Sequence, residues 1–146
     1  MNYTEKLKEE LKCLAEREAK PDQLSTCKPQ SAVIYRDVEC NFHKPSYDNI
    51  QTPDKKNWKH RLEKPHSKLK GFKEMQSSNS SDALLMNIFC HPSINKWKGI
   101  ANLFDLTSIR DIAFGYNPKL LKNGKPEPTP TEIDMMINYK IICEAK

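Results

Sequence analysis

Apolar positions are spread unevenly along the 146 residues, and most of the continuous apolar pattern lies after position 82. Near the start, Leu7, Leu11 and Leu14 recur at helical spacing with Glu and Lys between them, which predicts a first helix over residues 4–19. Thr4 stands where a cap is needed, and Lys20-Pro21 ends the helix because proline disfavours helical backbone in the residue before it. Its apolar face is expected to pack on the body of the protein or on a partner helix. From 21 to 66 the chain is polar and punctuated by Pro21, Pro29, Pro45, Pro53 and Pro65. A short strand is expected over 31–35, and the remainder reads as loop wrapping the body. Residues 80–92 read as a helix. Ser80 or Ser81 caps it, Asp82 suits the positive end of its dipole, Ala83, Leu84, Ile88 and Phe89 form its apolar face, and Pro92 stops it. A further helix is expected over 95–104, with Trp97, Ile100, Ala101 and Phe104 as a core stripe. A first core strand follows over 111–116, then a loop over 117–129 whose clearest turn is Asn123-Gly124.

The last fifteen residues carry the candidate chemistry. Ile133, Met135 and Ile137 alternate with Asp134, Met136 and Asn138, and Ile141-Ile142-Cys143 forms a second apolar run after the polar break at 138–140. That is the period of a hairpin. If the turn is centred on Tyr139, opposed residue numbers sum to 278 and Asp134 faces Glu144, with Lys146 on the same face as Glu144. A two-residue turn would set Asp134 against Cys143 instead. Two carboxylates opposed across a sheet repel, and a bound Mg²⁺ removes the conflict because it takes oxygen ligands. A lysine beside it can orient or help deprotonate an attacking water, or stabilise charge on a phosphate. The competing reading is that these charges simply face solvent.

Composition narrows the remaining classes. With 37% hydrophobic and 29% charged residues, a core extending through the whole chain is not expected. No run approaches the roughly 18 apolar residues that span a bilayer, and the N-terminus lacks the apolar stretch of a secretory signal. Five cysteines without a Cys-x-x-Cys pair argue against a disulfide framework or structural zinc and fit a reducing cytosol. His43, His60, His66 and His91 have no metal-ligand spacing and read as surface or structural. Cys90 and His91, adjacent on a helix, do not face one another, so a Cys–His nucleophile is rejected. Phosphate-cradling glycine motifs are absent from the sequence.

Charge is concentrated in residues 54–73, where eight Lys and Arg face two acids, so this stretch alone exceeds the net charge of +5. The first helix, with five basic and five acidic residues over 1–20, is neutral. Lys55, Lys56, Lys59, Arg61, Lys68 and Lys70, with Trp58 interleaved, are candidates for neutralising a nucleic-acid backbone and stacking on a base. The alternative is a solvated lysine-rich linker. Asn87 is a candidate for touching nucleic acid or for fixing a neighbouring loop.

The run Pro130-Thr131-Glu132-Ile133-Asp134, followed by Ile141-Ile142-Cys143-Glu144-Ala145-Lys146, resembles the PD-(D/E)XK, restriction-endonuclease-like nuclease superfamily. Residues 77–89 resemble the helix that precedes the core in uncharacterised bacterial members. The resemblance covers about residues 67–146. It implies that Asp134 and Glu144 are ligands of Mg²⁺ (or Mn²⁺), that Lys146 is the catalytic lysine, and that DNA is the partner. It also raises Glu74 or Asp82 as a further acid, beside capping as the structural role of Asp82. The expected architecture is α/β (α+β): helices, then a β-meander carrying the motif as a partial restriction-endonuclease-like core. The expected organisation is an N-terminal helix (1–20), a Pro-rich, polar and basic connecting region (21–66) and the nuclease-like core (67–146). Because the superfamily core continues past the lysine, an incomplete fragment, completed by a downstream segment or a second chain, is one expectation. The expected function is metal-dependent hydrolysis of DNA phosphodiesters in the cytoplasm, and the alternative is a non-catalytic basic nucleic-acid-binding or assembly module.

Overall fold

A computed structural model of the chain describes residues 2–116, 121–122, 125–126, 132–139 and 141–143. It is an α+β protein in two compact units, Met1–His91 and Pro92–Lys146.

The N-terminal unit begins with α1 (Tyr3–Glu18). Asn2, not Thr4, is its cap: the Asn2 side chain accepts from the Glu5 backbone N–H and the Glu5 carboxylate accepts from the Asn2 backbone N–H, both at 2.9 Å. This reciprocal pairing satisfies two donors at once, an advantage Thr4 lacks because no acid or amide lies three residues after it. Ala15 is buried, while Leu7 and Leu14 remain 40% and 45% exposed, so much of the leucine stripe is outside the core.

The segment expected to be loop contains two helices, α2 (Lys44–Ile50) and α3 (Lys56–Leu62). The prolines that suggested breaks lie at starts: Pro45 is in the first turn of α2, and Pro53 opens the 3₁₀ turn Pro53–Lys55 that leads into α3. Proline is tolerated there because the first N–H groups of a helix have no intrahelical acceptor. The expected strand over 31–35 is reduced to isolated bridges, Leu24 with Tyr35 and Ile34 with Ser77, although Ile34 is buried between them. Helix α4 (Ser81–Phe89) is capped by Ser80, whose Oγ accepts from Ala83 N–H at 3.1 Å. Its buried face is Ala83, Met86 and Phe89, and Leu84 is 56% exposed, a displacement of the stripe toward Met86.

Much of this unit is fastened by amide and hydroxyl side chains bonding to backbone. Asn41 Nδ2 donates to the carbonyls of Met75 and Ser77 (2.8 and 2.9 Å), and Gln76 Nε2 donates to those of Tyr35 and Arg36 (3.1 and 2.7 Å). Ser46 Oγ donates to the Asn87 carbonyl (2.7 Å), and Asn49 Nδ2 to that of Cys90 (2.8 Å). Around these ties lie the fully buried Ile50, Met75, Met86 and Cys90.

The C-terminal unit opens with the 3₁₀ turn Ile94–Lys96 and α5 (Lys98–Leu103), shorter than the helix expected over 95–104. Trp97 is its cap position and is 37% exposed, so only Ala101 of the expected stripe is fully buried. Asp105 (φ 51°) ends the helix in the left-handed region, with Leu106 N–H donating to the Ala101 carbonyl and Asp105 N–H to that of Asn102. These bonds satisfy carbonyls that the helix end leaves open. The strands are β1 (Ile112–Tyr116), β2 (Leu121–Lys122), β3 (Lys125–Pro126), β4 (Ile133–Ile137) and β5 (Ile141–Cys143). They form an antiparallel sheet of order β1-β4-β5 and a separate β2-β3 pair. The pair falls in the expected loop and brackets Asn123-Gly124, the dipeptide that favours tight hairpins; those two residues lie outside the described ones.

Candidate functional site

The hairpin is set by its turn. Asn138 (φ 51°) and Tyr139 (φ 55°) both adopt left-handed backbone, which matches the twist of the flanking strands. Asparagine tolerates that conformation through local hydrogen bonding; tyrosine carries the steric cost. Asn138 is also a clamp. Its Oδ1 accepts from Arg110 N–H (2.9 Å) and Asp111 N–H (3.2 Å), its Nδ2 donates to the Ser108 carbonyl (2.8 Å), and its backbone N–H donates to the Asp111 carbonyl (2.7 Å). One residue therefore ties the β4–β5 turn to the entry of β1. The sequence reading saw Asn138 only as a polar break; an asparagine at the end of a strand, where positive φ is needed, was the available signal.

The strand pairs Met135–Cys143, Met136–Ile142 and Ile137–Ile141 each sum to 278, the register of the Tyr139-centred turn. Asp134 is half-buried on β4, the central strand, between the buried Ile133 and Met135. On its other side, β1 pairs Phe114 with Met135 and Tyr116 with Ile133, which places Gly115 (φ 60°) across from Asp134. A side chain is disfavoured at that φ, so the position facing the aspartate carries none. Glu144 and Lys146 lie outside the described residues. Among the described residues no three His, Cys, Asp or Glu side chains gather as a metal-binding group.

The basic candidates divide. Lys56, Lys68 and Lys70 are exposed and Lys59 is half-buried. Lys55 sits 4.7 Å from the centre of the Trp58 ring and 3.1 Å from Asp54. Trp58 itself is 9% exposed, so its indole is packed inside rather than displayed for a base. Arg61 is 8% exposed, with Nη2 2.9 Å from Asp82 Oδ2, and Lys64 Nζ reaches the same oxygen at 3.1 Å. A buried carboxylate demands such partners, which explains both the burial of Arg61 and the role of Asp82: it is an ion-pair centre, and Ser80 is the cap. Lys68 and Lys70 ride on a short loop fixed by His66, whose Nδ1 accepts from the N–H groups of Lys68 (3.1 Å) and Leu69 (3.2 Å), with Gly71 at φ 87° closing it.

Asn87 fixes a loop. Its Oδ1 accepts from His43 N–H (2.6 Å), and its Nδ2 donates to the carbonyls of Asn41 and Ala83 (3.0 Å each). Glu74 is half-buried in the 3₁₀ turn Glu74–Gln76. Cys90 is fully buried, and desolvation pushes its thiol far above the ordinary range, the opposite of what a nucleophile needs. His91 stacks on His43 with ring centres 5.6 Å apart. No helix among the described residues is long and apolar enough to cross a membrane.

No curated protein and no solved structure matches the chain. A family model described as restriction endonuclease associating with ARP (REase-ARP) matches residues 5–146, which takes in both units and the whole candidate hairpin. The chain therefore belongs to this restriction-endonuclease-like family.

Proposed function

We propose that the chain is a divalent-metal-dependent nuclease acting on DNA phosphodiesters. The observation that carries the proposal is the hairpin register: the pairs Met135–Cys143, Met136–Ile142 and Ile137–Ile141 are those of the Tyr139-centred turn, the one of the two turns weighed in the sequence on which Asp134 is expected to face Glu144. Membership of a restriction-endonuclease-like family supports it. The donor set suits Mg²⁺ or Mn²⁺, since carboxylate oxygens are the ligands these cations prefer. When bound, the cation supplies Lewis acidity to the scissile phosphate and to the attacking water.

The chain's own groups do the remaining work. Asp134 and Glu144 would hold the cation. Lys146 orients the water and offsets charge on the phosphate as the water oxygen bonds to phosphorus and the bond to the leaving sugar oxygen breaks. Lys55, Lys56, Lys59, Lys68 and Lys70 neutralise backbone phosphates at a distance from the reaction; Trp58 and Arg61, buried, are left out of that surface.

The test is cleavage of supercoiled plasmid in Mg²⁺ and in EDTA. Wild type should nick the plasmid only with the metal, and Asp134→Asn and Lys146→Met should each lower the rate by at least about a hundredfold. Metal-independent, salt-sensitive binding with no cleavage would replace this reading with that of a basic nucleic-acid-binding module.

A further inference from the structure

We propose that a cleft in the N-terminal unit seats one unpaired nucleotide, its phosphate on Lys56 and Lys59 and its base against Tyr47. The cleft has a volume of about 640 Å³ and is lined by residues of α3, by Asp37, Val38 and Glu39, by Tyr47 and Gln51 of the α2 region, and by Lys73. That volume is in the range that holds a small ligand.

The charges in the cleft are arranged rather than cancelled. Lys73 is paired with Glu63 at 2.6 Å, and Asp37 with Arg36 at 2.9 Å. Among the described residues, Lys56, Lys59 and Glu39 have no ion pair. Lys56 and Lys59, three apart on α3, lie on one helix face and suit the several oxygens of a phosphate. Glu39 belongs to the 3₁₀ turn Val38–Asn41, lines the same cleft and is an acceptor for the amino group of a base. In the same cleft Tyr47 supplies an aromatic surface, itself braced by Phe42 with ring centres 6.0 Å apart. Burial, then Glu39, push the Tyr47 phenol above its ordinary value, with Lys73 acting in the opposite direction. The aromatic that the lysines need is thus Tyr47 from α2, while the tryptophan within the basic run is buried.

The inference rests on the reading that the chain binds DNA, and the experiment separates the two. In EDTA, the full chain is titrated into a short single-stranded oligodeoxynucleotide containing one 2-aminopurine, and into the same strand abasic at that position. Wild type should prefer the strand with the base, because stacking on an aromatic ring is worth about five- to hundredfold in affinity per base. Tyr47→Ala should erase that preference and Tyr47→Phe should keep it. Lys56→Gln and Lys59→Gln should weaken both strands and each flatten the salt slope by about 0.7. Equal binding of the two strands by wild type, with salt-sensitive affinity intact, would overturn the nucleotide seat and leave the DNA surface standing. Displacement of the bound strand by a short acidic peptide at equal or lower concentration would also overturn it. Failure of wild type to bind either strand at low salt would overturn both readings.

Discussion

The two units solve the problem of fastening short elements in different ways. In the N-terminal unit α2 and α3 have seven residues each and α4 has nine, too few to be stable as isolated helices. They are joined by side chains that bond to distant backbone: Asn87 to residues 41 and 43, Gln76 to 35 and 36, Asn41 to 75 and 77. In the C-terminal unit the described fastening is a strand ladder, β1-β4-β5, with Met135 and Ile137 fully buried on the central strand and Asn138 as a clamp of the same kind. The first kind of order depends on particular side-chain heads; the second depends on a period and on volume. Substitutions should therefore fail differently in each.

The largest effect is expected for volume in the ladder. Met135→Ala removes most of a fully buried side chain on the central strand and should cost about 2–5 kcal/mol, read as lost amide-exchange protection across β1 and β4. The clamps come next. Asn87→Ala leaves the His43 N–H and the Asn41 carbonyl without the bonds Asn87 supplies, and Asn138→Gly keeps the left-handed turn while deleting three side-chain bonds; each should cost about 1–3 kcal/mol. Urea unfolding with an unchanged m-value would check this. If Asn87→Ala proved neutral, the contrast between the units would collapse.

A smaller, pH-dependent effect separates Cys90 from its neighbours. Burial raises its thiol in the folded state, so the folded chain keeps a proton that the unfolded chain loses. The associated stability is fully present below the ordinary thiol value of 9.0 and is lost as pH rises from there toward the raised value. Wild type should lose about 1.4 kcal/mol per pH unit above that point relative to Cys90→Ala; parallel curves would contradict the burial. The smallest change runs the other way. Tyr139 is 74% exposed at φ 55°, so Tyr139→Gly should stabilise the hairpin by up to about 1 kcal/mol in thermal unfolding.

What the sequence made legible follows the same division. The period of two at 133–137 gave β4, and the polar break gave the turn and its register, because a ladder is written in alternation. The helix over 81–89 was legible from its serine cap and proline stop. Helices α2 and α3 were missed because Pro45 and Pro53 were read as breakers when they occupy helix starts, and their stability comes from contacts more than 30 residues away in sequence, such as Ser46 with Asn87. Arg61 reads from local charge as a surface group, yet it is buried against Asp82, whose demand for cations appears only once α3 and α4 are brought together. Asn2 with Glu5 three residues later is a capping-box signal that the sequence carries and that the choice of Thr4 overlooks.

The proposed function rests on Asp134 and Glu144 together holding a divalent cation. The direct test is calorimetric titration of Mn²⁺ into wild type and Asp134→Asn, with circular dichroism confirming that both are folded. The account predicts a bound cation in wild type that is lost in Asp134→Asn and displaced by Mg²⁺. Equal binding by the two proteins, or no binding by folded wild type, would contradict it.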